Sequence, residues 1–258
     1  MSEEMPFMSH LEELRNCLVR SFVAWIIAFV ACYSYSGEIF SFISDPVRQV
    51  LPEGSSMVFI SATEPFFTYL KISALAAVLC ALPVILWQIW VFIAPGLYKH
   101  EKRYAIPFVL ASCLCFACGT YFGFTFVFPT IFNFLVTFGT ASGDMQAMLS
   151  VGNYLSLASK LLLAFGLVFE LPIIIFFLAR LGVIDHLWLR RNRKYALLVA
   201  FIVGAMLTPP DVLSQTALAV PFIILYEVGI IVARLFGKKR VEDEELSEAE
   251  VSASDDAS

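Results

Sequence analysis

The chain has 258 residues, of which 59% are hydrophobic and 25 are Phe, and its mean hydropathy is +0.80. A soluble globular domain does not carry that much apolar material, so the composition excludes one and makes lipid the solvent. The formal net charge of −5 is set by the last 18 residues, "VEDEELSEAEVSASDDAS", which hold eight acids and no base; the remainder is +3, so the acidic total says little about partners.

Apolar runs predict transmembrane helices at about 18–36, 69–93, 105–134 and 154–179. A crossing helix needs about 20 apolar residues. None of the runs alternates as a barrel strand would, which excludes a closed barrel. Two shorter segments follow, "YALLVAFIVGAML" at 195–207 and another at about 217–233, separated by "TPPDVLSQT". The first has 13 residues and reaches only about 20 Å of a hydrocarbon core near 30 Å. It must therefore thin the bilayer locally or form a re-entrant hairpin with its successor. Between the first two spans, "SDPVRQVLPEG" and "ISATEPFF" combine turn formers with apolar periodicity and predict short helices capping the outer mouth, with Pro46 fixing a bend. The expected fold is all-α: a polytopic membrane protein of six transmembrane helices, the last two short, forming a single domain over 1–240. The acidic segment 241–258 has too little apolar material to order and is expected to be a disordered cytoplasmic tail.

Basic residues orient the chain. The N-terminal flank, the second and fourth connections and the C-terminal flank hold 14 of the 17 Lys and Arg; Arg48, Lys71 and Lys160 are the exceptions. Positive-inside reasoning then places both termini in the cytoplasm, the parity that six crossings require. The first apolar run follows an acidic, Pro-containing segment and lacks a small-residue cleavage site, so it is expected to be retained.

Cys113, Cys115 and Cys118 form a C-x-C-x-x-C string, but residues two apart on a helix point about 200° away from each other and cannot share a ligand face. They read as small packing residues. His10, His100 and His186 fall in cytoplasmic segments, which leaves no histidine for a metal or haem inside the membrane. No H-E-x-x-H, G-x-S-x-G or Walker loop is present, so neither hydrolysis nor nucleotide-driven work has its residues. No metal and no cofactor is expected.

The remaining polar residues are few. In "SHLEELRNCLVR", Ser9 and Glu12 have the spacing of a capping box, while Glu13 and Arg15 belong either to a solvated helix face or to a recognition surface. "VFIAPGLYKHEKRY" surrounds Glu101 with Lys99, Lys102 and Arg103. Glu170 stands inside the apolar run 161–178, where a charge costs at least about 2.5 kcal/mol, so it must be neutral, paired or wet. Pro172 loosens the helix beside it and frees carbonyls for water. Asp211 in "TPPD" reads as a helix cap. Glu227 is left to snorkelling or a neighbouring helix.

"HLEELR", "FIAPGLYKHEKR", "FGLVFELP" and "LTPPDVLSQ" occur in order over residues 8–236, and together they resemble the TatC family, the multispanning core of the twin-arginine protein translocase. The resemblance implies a protein of the bacterial inner membrane. It would bind twin-arginine signal peptides on folded cargo and, with single-span TatA and TatB partners, export that cargo using the proton-motive force. It would also self-associate in the complex; it implies no catalysis and no nucleic acid. Glu13 and Glu101 match the family's carboxylates, and a carboxylate accepts the parallel N–H donors of guanidinium. Leu14, Arg15, Phe92, Pro95 and Arg103 would shape that patch. Glu170 and Gln215 match positions that meet partner helices. Where family members commonly carry a second base after "ELR", this chain has Asn16 and Cys17.

Two other readings are weighed. A proton-coupled secondary transporter could use Glu170 and Glu227 as ion sites, but it should show paired broken helices in two related halves, which the sequence lacks. An intramembrane enzyme lacks a nucleophile and base at membrane depth.

Overall fold

The computed structural model describes residues 4–50, 56–93, 105–140, 148–208 and 211–237. Its helices are α1 (Glu4–Ser34), α2 (Ser36–Val50), α3 (Glu64–Ile93), α4 (Ala105–Phe122), α5 (Phe128–Thr140), α6 (Val151–Phe169), α7 (Leu171–Arg180), α8 (His186–Arg191), α9 (Arg193–Leu207) and α10 (Val212–Phe236). A π-helical turn, Gly123–Val127, joins α4 to α5. Two three-residue strands, β1 (Ser56–Val58) and β2 (Met148–Ser150), pair in parallel with Ser56 opposite Met148. The expectation of an all-α membrane protein holds apart from this small pair. The tail at 241–258 lies outside the described residues.

Among the described residues, five stretches are long and apolar enough to cross a membrane: Leu11–Ser34, Glu64–Phe92, Ile106–Gly139, Val151–Arg180 and Val212–Phe236. The last corrects an expectation. Asp211 caps α10 at Val212, so this helix runs 25 residues and is not short. Of the six expected spans, only the one formed by α9, with 15 residues, falls below the roughly 20 that a crossing needs. A second correction concerns the capping box: α1 begins at Glu4, so Ser9 lies inside the helix and not at its N-cap position.

The cap expected at the outer mouth forms as a helix because its apolar residues share one stripe. Ile39, Phe40, Ile43 and Val47 of α2 turn inward while Glu38, Asp45 and Arg48 stay exposed. Pro46 sits within α2 and does not end it; its missing N–H deprives only the carbonyl four residues back of a bond. Tyr154 of α6 donates its hydroxyl to the Ile43 carbonyl at 2.7 Å, fastening the cap to the core. That core is aromatic and aliphatic: Phe128, Phe165, Ile72, Ile131, Leu155 and Leu161 are all fully buried.

Contacts give each helix a direction. Glu64 at the start of α3 bonds Ser150 and Gly152 at the start of α6, and Phe176 of α7 packs on Phe236 of α10. Hence α3, α6–α7 and α10 run in one sense. Gly204 of α9 abuts Gln215, and Arg193 pairs with Glu227 at 2.6 Å, so α9 runs against α10. That ion pair also supplies Glu227 with the partner its sequence did not reveal. Arg180, Arg190, Arg191, Arg193, Lys194 and Arg234 consequently gather at one end of the molecule.

α1 departs from an up-and-down arrangement. Trp25 Nε1 donates to the Ala74 carbonyl at 3.2 Å, and the Cys32 and Cys80 sulfurs lie 3.9 Å apart. Both offsets are nearly equal, so α1 runs parallel to α3, whereas a cytoplasmic N-terminus calls for antiparallel neighbours. Its crossing window is 6% buried, against 50% for Val151–Arg180, so α1 is held along a single face.

Candidate functional site

The fourth span breaks at Glu170. Its backbone takes φ −73° and ψ −16°, and α7 restarts at Leu171 with Pro172 in its first turn. Pro172 has no N–H to donate, so placing it in a first turn avoids the bond a helix interior would require. The Glu170 carbonyl then accepts from the N–H groups of Ile173 and Ile174 at 3.0 and 2.9 Å. The side chain is 6% exposed and its Oε1 has no hydrogen-bond partner.

Glycines bring α4 against α6 beside that break. A Cβ on Gly119 would collide with the Phe165 carbonyl, and one on Gly166 with the Phe116 ring. The π-helical turn continues the contact, Gly123 facing the Phe165 ring where a Cβ would come within 2.9 Å. Because the helices are antiparallel, the Phe116–Gly166 contact sets Ser112, one turn earlier, opposite Glu170, one turn later.

Beyond Glu170, toward the basic end, lies an apolar cavity of about 550 Å³ between α3, α4, α7 and α10. Trp90, Phe108 and Phe177 pack together in its wall, Ala111, Pro172 and Ile173 line the side nearest Glu170, and Arg180 reaches it. Gln215 lies elsewhere. Val168 packs with Ala219 and Phe222 of α10, which leaves Gln215 at least one turn farther from the basic end, against Gly204. Asp211 caps α10 by accepting from the Ser214 N–H at 2.7 Å.

Of the residues matched to signal-peptide recognition, Glu13, Leu14 and Arg15 lie exposed on α1, and Phe92 lies near the end of α3. Pro95, Glu101 and Arg103 lie outside the described residues. In the Trp25–Ala74 register Glu13 is level with the start of α3, about 40 Å from Phe92 at 1.5 Å per residue. The structure therefore does not bring Glu13 and Phe92 together.

Comparison with known proteins decides the family. Residues 9–221 match the family model for the Sec-independent protein translocase protein (TatC). The chain belongs to the TatC family. It is 47% identical over 243 residues to the TatC protein of Desulforapulum autotrophicum, covering 94% of this chain and 89% of that one. To the TatC protein of Escherichia coli K12 it is 39% identical over 245 residues, 95% and 94% of the two chains. A crystal structure described as the twin arginine translocase receptor TatC matches with a TM-score of 0.81 and 38% identity, over 88% of this chain and 98% of that one. The protein is thus a membrane-spanning core subunit of the Tat translocase, a component of protein transport and not an enzyme.

Sequence reasoning missed four features of this TatC member. The Glu64 clamp had a readable signal, the S-x-x-E of "SATE". The Arg193–Glu227 pair is 34 residues apart in the chain, and the β1–β2 pair more, so neither had a local one. Ser112 had no signal of its own beyond being polar in an apolar run.

Proposed function

We propose that this subunit recognises the paired arginines of export signal peptides through Glu13 and Glu101, with Leu14, Arg15, Phe92, Pro95 and Arg103 shaping the patch. We propose also that it receives TatA- and TatB-type single-span helices at Glu170 and Gln215, self-associates in the complex, and works in a bacterial inner membrane with both termini cytoplasmic, drawing on the proton-motive force. The carrying observation is the match to the twin arginine translocase receptor over 88% of the chain. For docking, the support is a carboxyl buried at a helix break, with one oxygen unpartnered, beside an apolar cavity. A polar group on a single-span helix would satisfy that oxygen.

The joint use of Glu13 and Glu101 requires α1 to run against α3, opposite to its sense in the structure. Guanidinium binding itself is tested by substitution. Membranes carrying Glu101→Ala should bind a twin-arginine precursor more weakly, and Glu101→Lys more weakly still because repulsion adds to the lost pair. Protein levels should not change. Unimpaired precursor binding by Glu101→Lys membranes would refute the recognition site.

A further inference from the structure

The α4–α6 contact leaves two polar atoms buried together. Ser112 is 1% exposed and Glu170 6% exposed, and neither Ser112 Oγ nor Glu170 Oε1 closes a hydrogen bond. Each alone is costly in an apolar setting. Their juxtaposition is enforced: Gly119 and Gly166 admit the close approach, and Phe116 against Gly166 fixes the register that faces residue 112 with residue 170. The chain neighbours of the pair, Ala111 and Pro172, line the apolar cavity, so the pair lies beside it.

We propose that Ser112 is the positioning residue for Glu170: its buried hydroxyl, held opposite the carboxyl by the glycine-lined α4–α6 contact, sets which carboxyl oxygen faces the cavity. A hydroxyl rotates to donate or accept, so it can match the carboxyl in either protonation state. Without it the carboxyl would be free to turn toward the helix break, where the chain's own freed carbonyls and water compete for it. The proposal rests on the reading of Glu170 as the docking point for a single-span partner, and the test separates the two.

A photoreactive residue at Ile173, which lines the cavity, reports docking of a TatA-type partner as cross-link yield in membranes containing the assembled translocase. Ser112→Ala should lower the yield about three- to tenfold, the range one hydrogen bond contributes. Ser112→Thr, which keeps the hydroxyl, should restore most of it. In a Glu170→Ala background, which has low yield already, Ser112→Ala should cost nothing further, because the two act through one contact. Precursor binding and the thermal midpoint of the purified protein should be unchanged by Ser112→Ala. A low yield with Glu170→Ala but a normal yield with Ser112→Ala would overturn the positioning role alone. So would additive losses in the double variant, or a loss that tracks the thermal midpoint and that Thr does not rescue. A normal yield with Glu170→Ala would overturn the docking reading and this proposal with it.

Discussion

Glu64 lies in the first turn of α3, yet its carboxylate serves two other segments. Oε2 accepts from the N–H groups of Ile60 and Ser61 at 2.6 and 3.3 Å, and Oε1 from Ser150 Oγ and the Gly152 N–H, both at 2.6 Å. The first two bonds close the entry to α3; the second two sit at the positive end of α6. One side chain thereby joins the segments that lead into α3 and α6, just where β1 pairs with β2. Gln has the same length but only one acceptor oxygen, and its amide would point N–H groups at donors. Glu64→Gln should therefore open the cap and Glu64→Ala should open it further, read as faster proteolysis within 51–63 or 141–150 from the outer side. Gly152→Ala should act the same way, because its Cβ would come within 2.8 Å of Glu64 Cγ. Unchanged cleavage in Glu64→Ala would show that the strand pair holds the cap without it.

At the scale of elements, α4 and α6 approach closely, and small residues permit it. In lipid no water is released when helices meet, so association rests on packing, and glycines let backbones come near. Gly119→Ala would press a methyl on the Phe165 carbonyl, which belongs to a helix backbone and cannot turn aside. We expect a loss of about 1–3 kcal/mol, the cost of overpacking, seen as a lower thermal midpoint in detergent. Gly139→Ala meets nothing within 4 Å and should change stability by no more than about 1 kcal/mol, in the direction of gain. Equal midpoints for the two variants would show that α4 and α6 part without cost. The same elements show what was legible in the sequence. Apolar runs located the spans, since lipid demands them, and Asp211 marked a helix start. Helix ends were placed too tightly, because α1, α3 and α10 continue through polar flanks such as Glu12, Glu64 and Gln215 once their backbones are already helical. Glu170 was legible as an anomaly. Its surroundings were not, because Ser112, Gly119 and Gly166 gain meaning only from a register between helices some 50 residues apart.

Over the whole molecule, the helices α3 to α10 agree with the charge pattern and α1 does not. The basic clusters on α7, α8, α9 and α10 share one end, as positive-inside reasoning requires. Parallel packing of α1 on α3 instead carries Arg15 and Arg20 to the other end. The Trp25 hydrogen bond that favours this packing contributes about 0.5–1.5 kcal/mol. Keeping Arg15 and Arg20 beside an anionic inner leaflet contributes about 1 kcal/mol for each. On the proposed cytoplasmic placement of the N-terminus, α1 would run against α3 in the membrane. With α1 antiparallel and Trp25 still near Ala74, residue 32 would stand near residue 67, about 20 Å along α3 from Cys80. Mild oxidation of membranes should therefore leave Cys32 and Cys80 uncoupled. An impermeant thiol reagent should reach a cysteine introduced at Gly143 from outside but not one at Asn192 or Ser2. A Cys32–Cys80 disulfide, together with outside labelling at Ser2, would establish the parallel packing in the membrane, giving five full crossings and leaving Glu13 on the far side from Glu101.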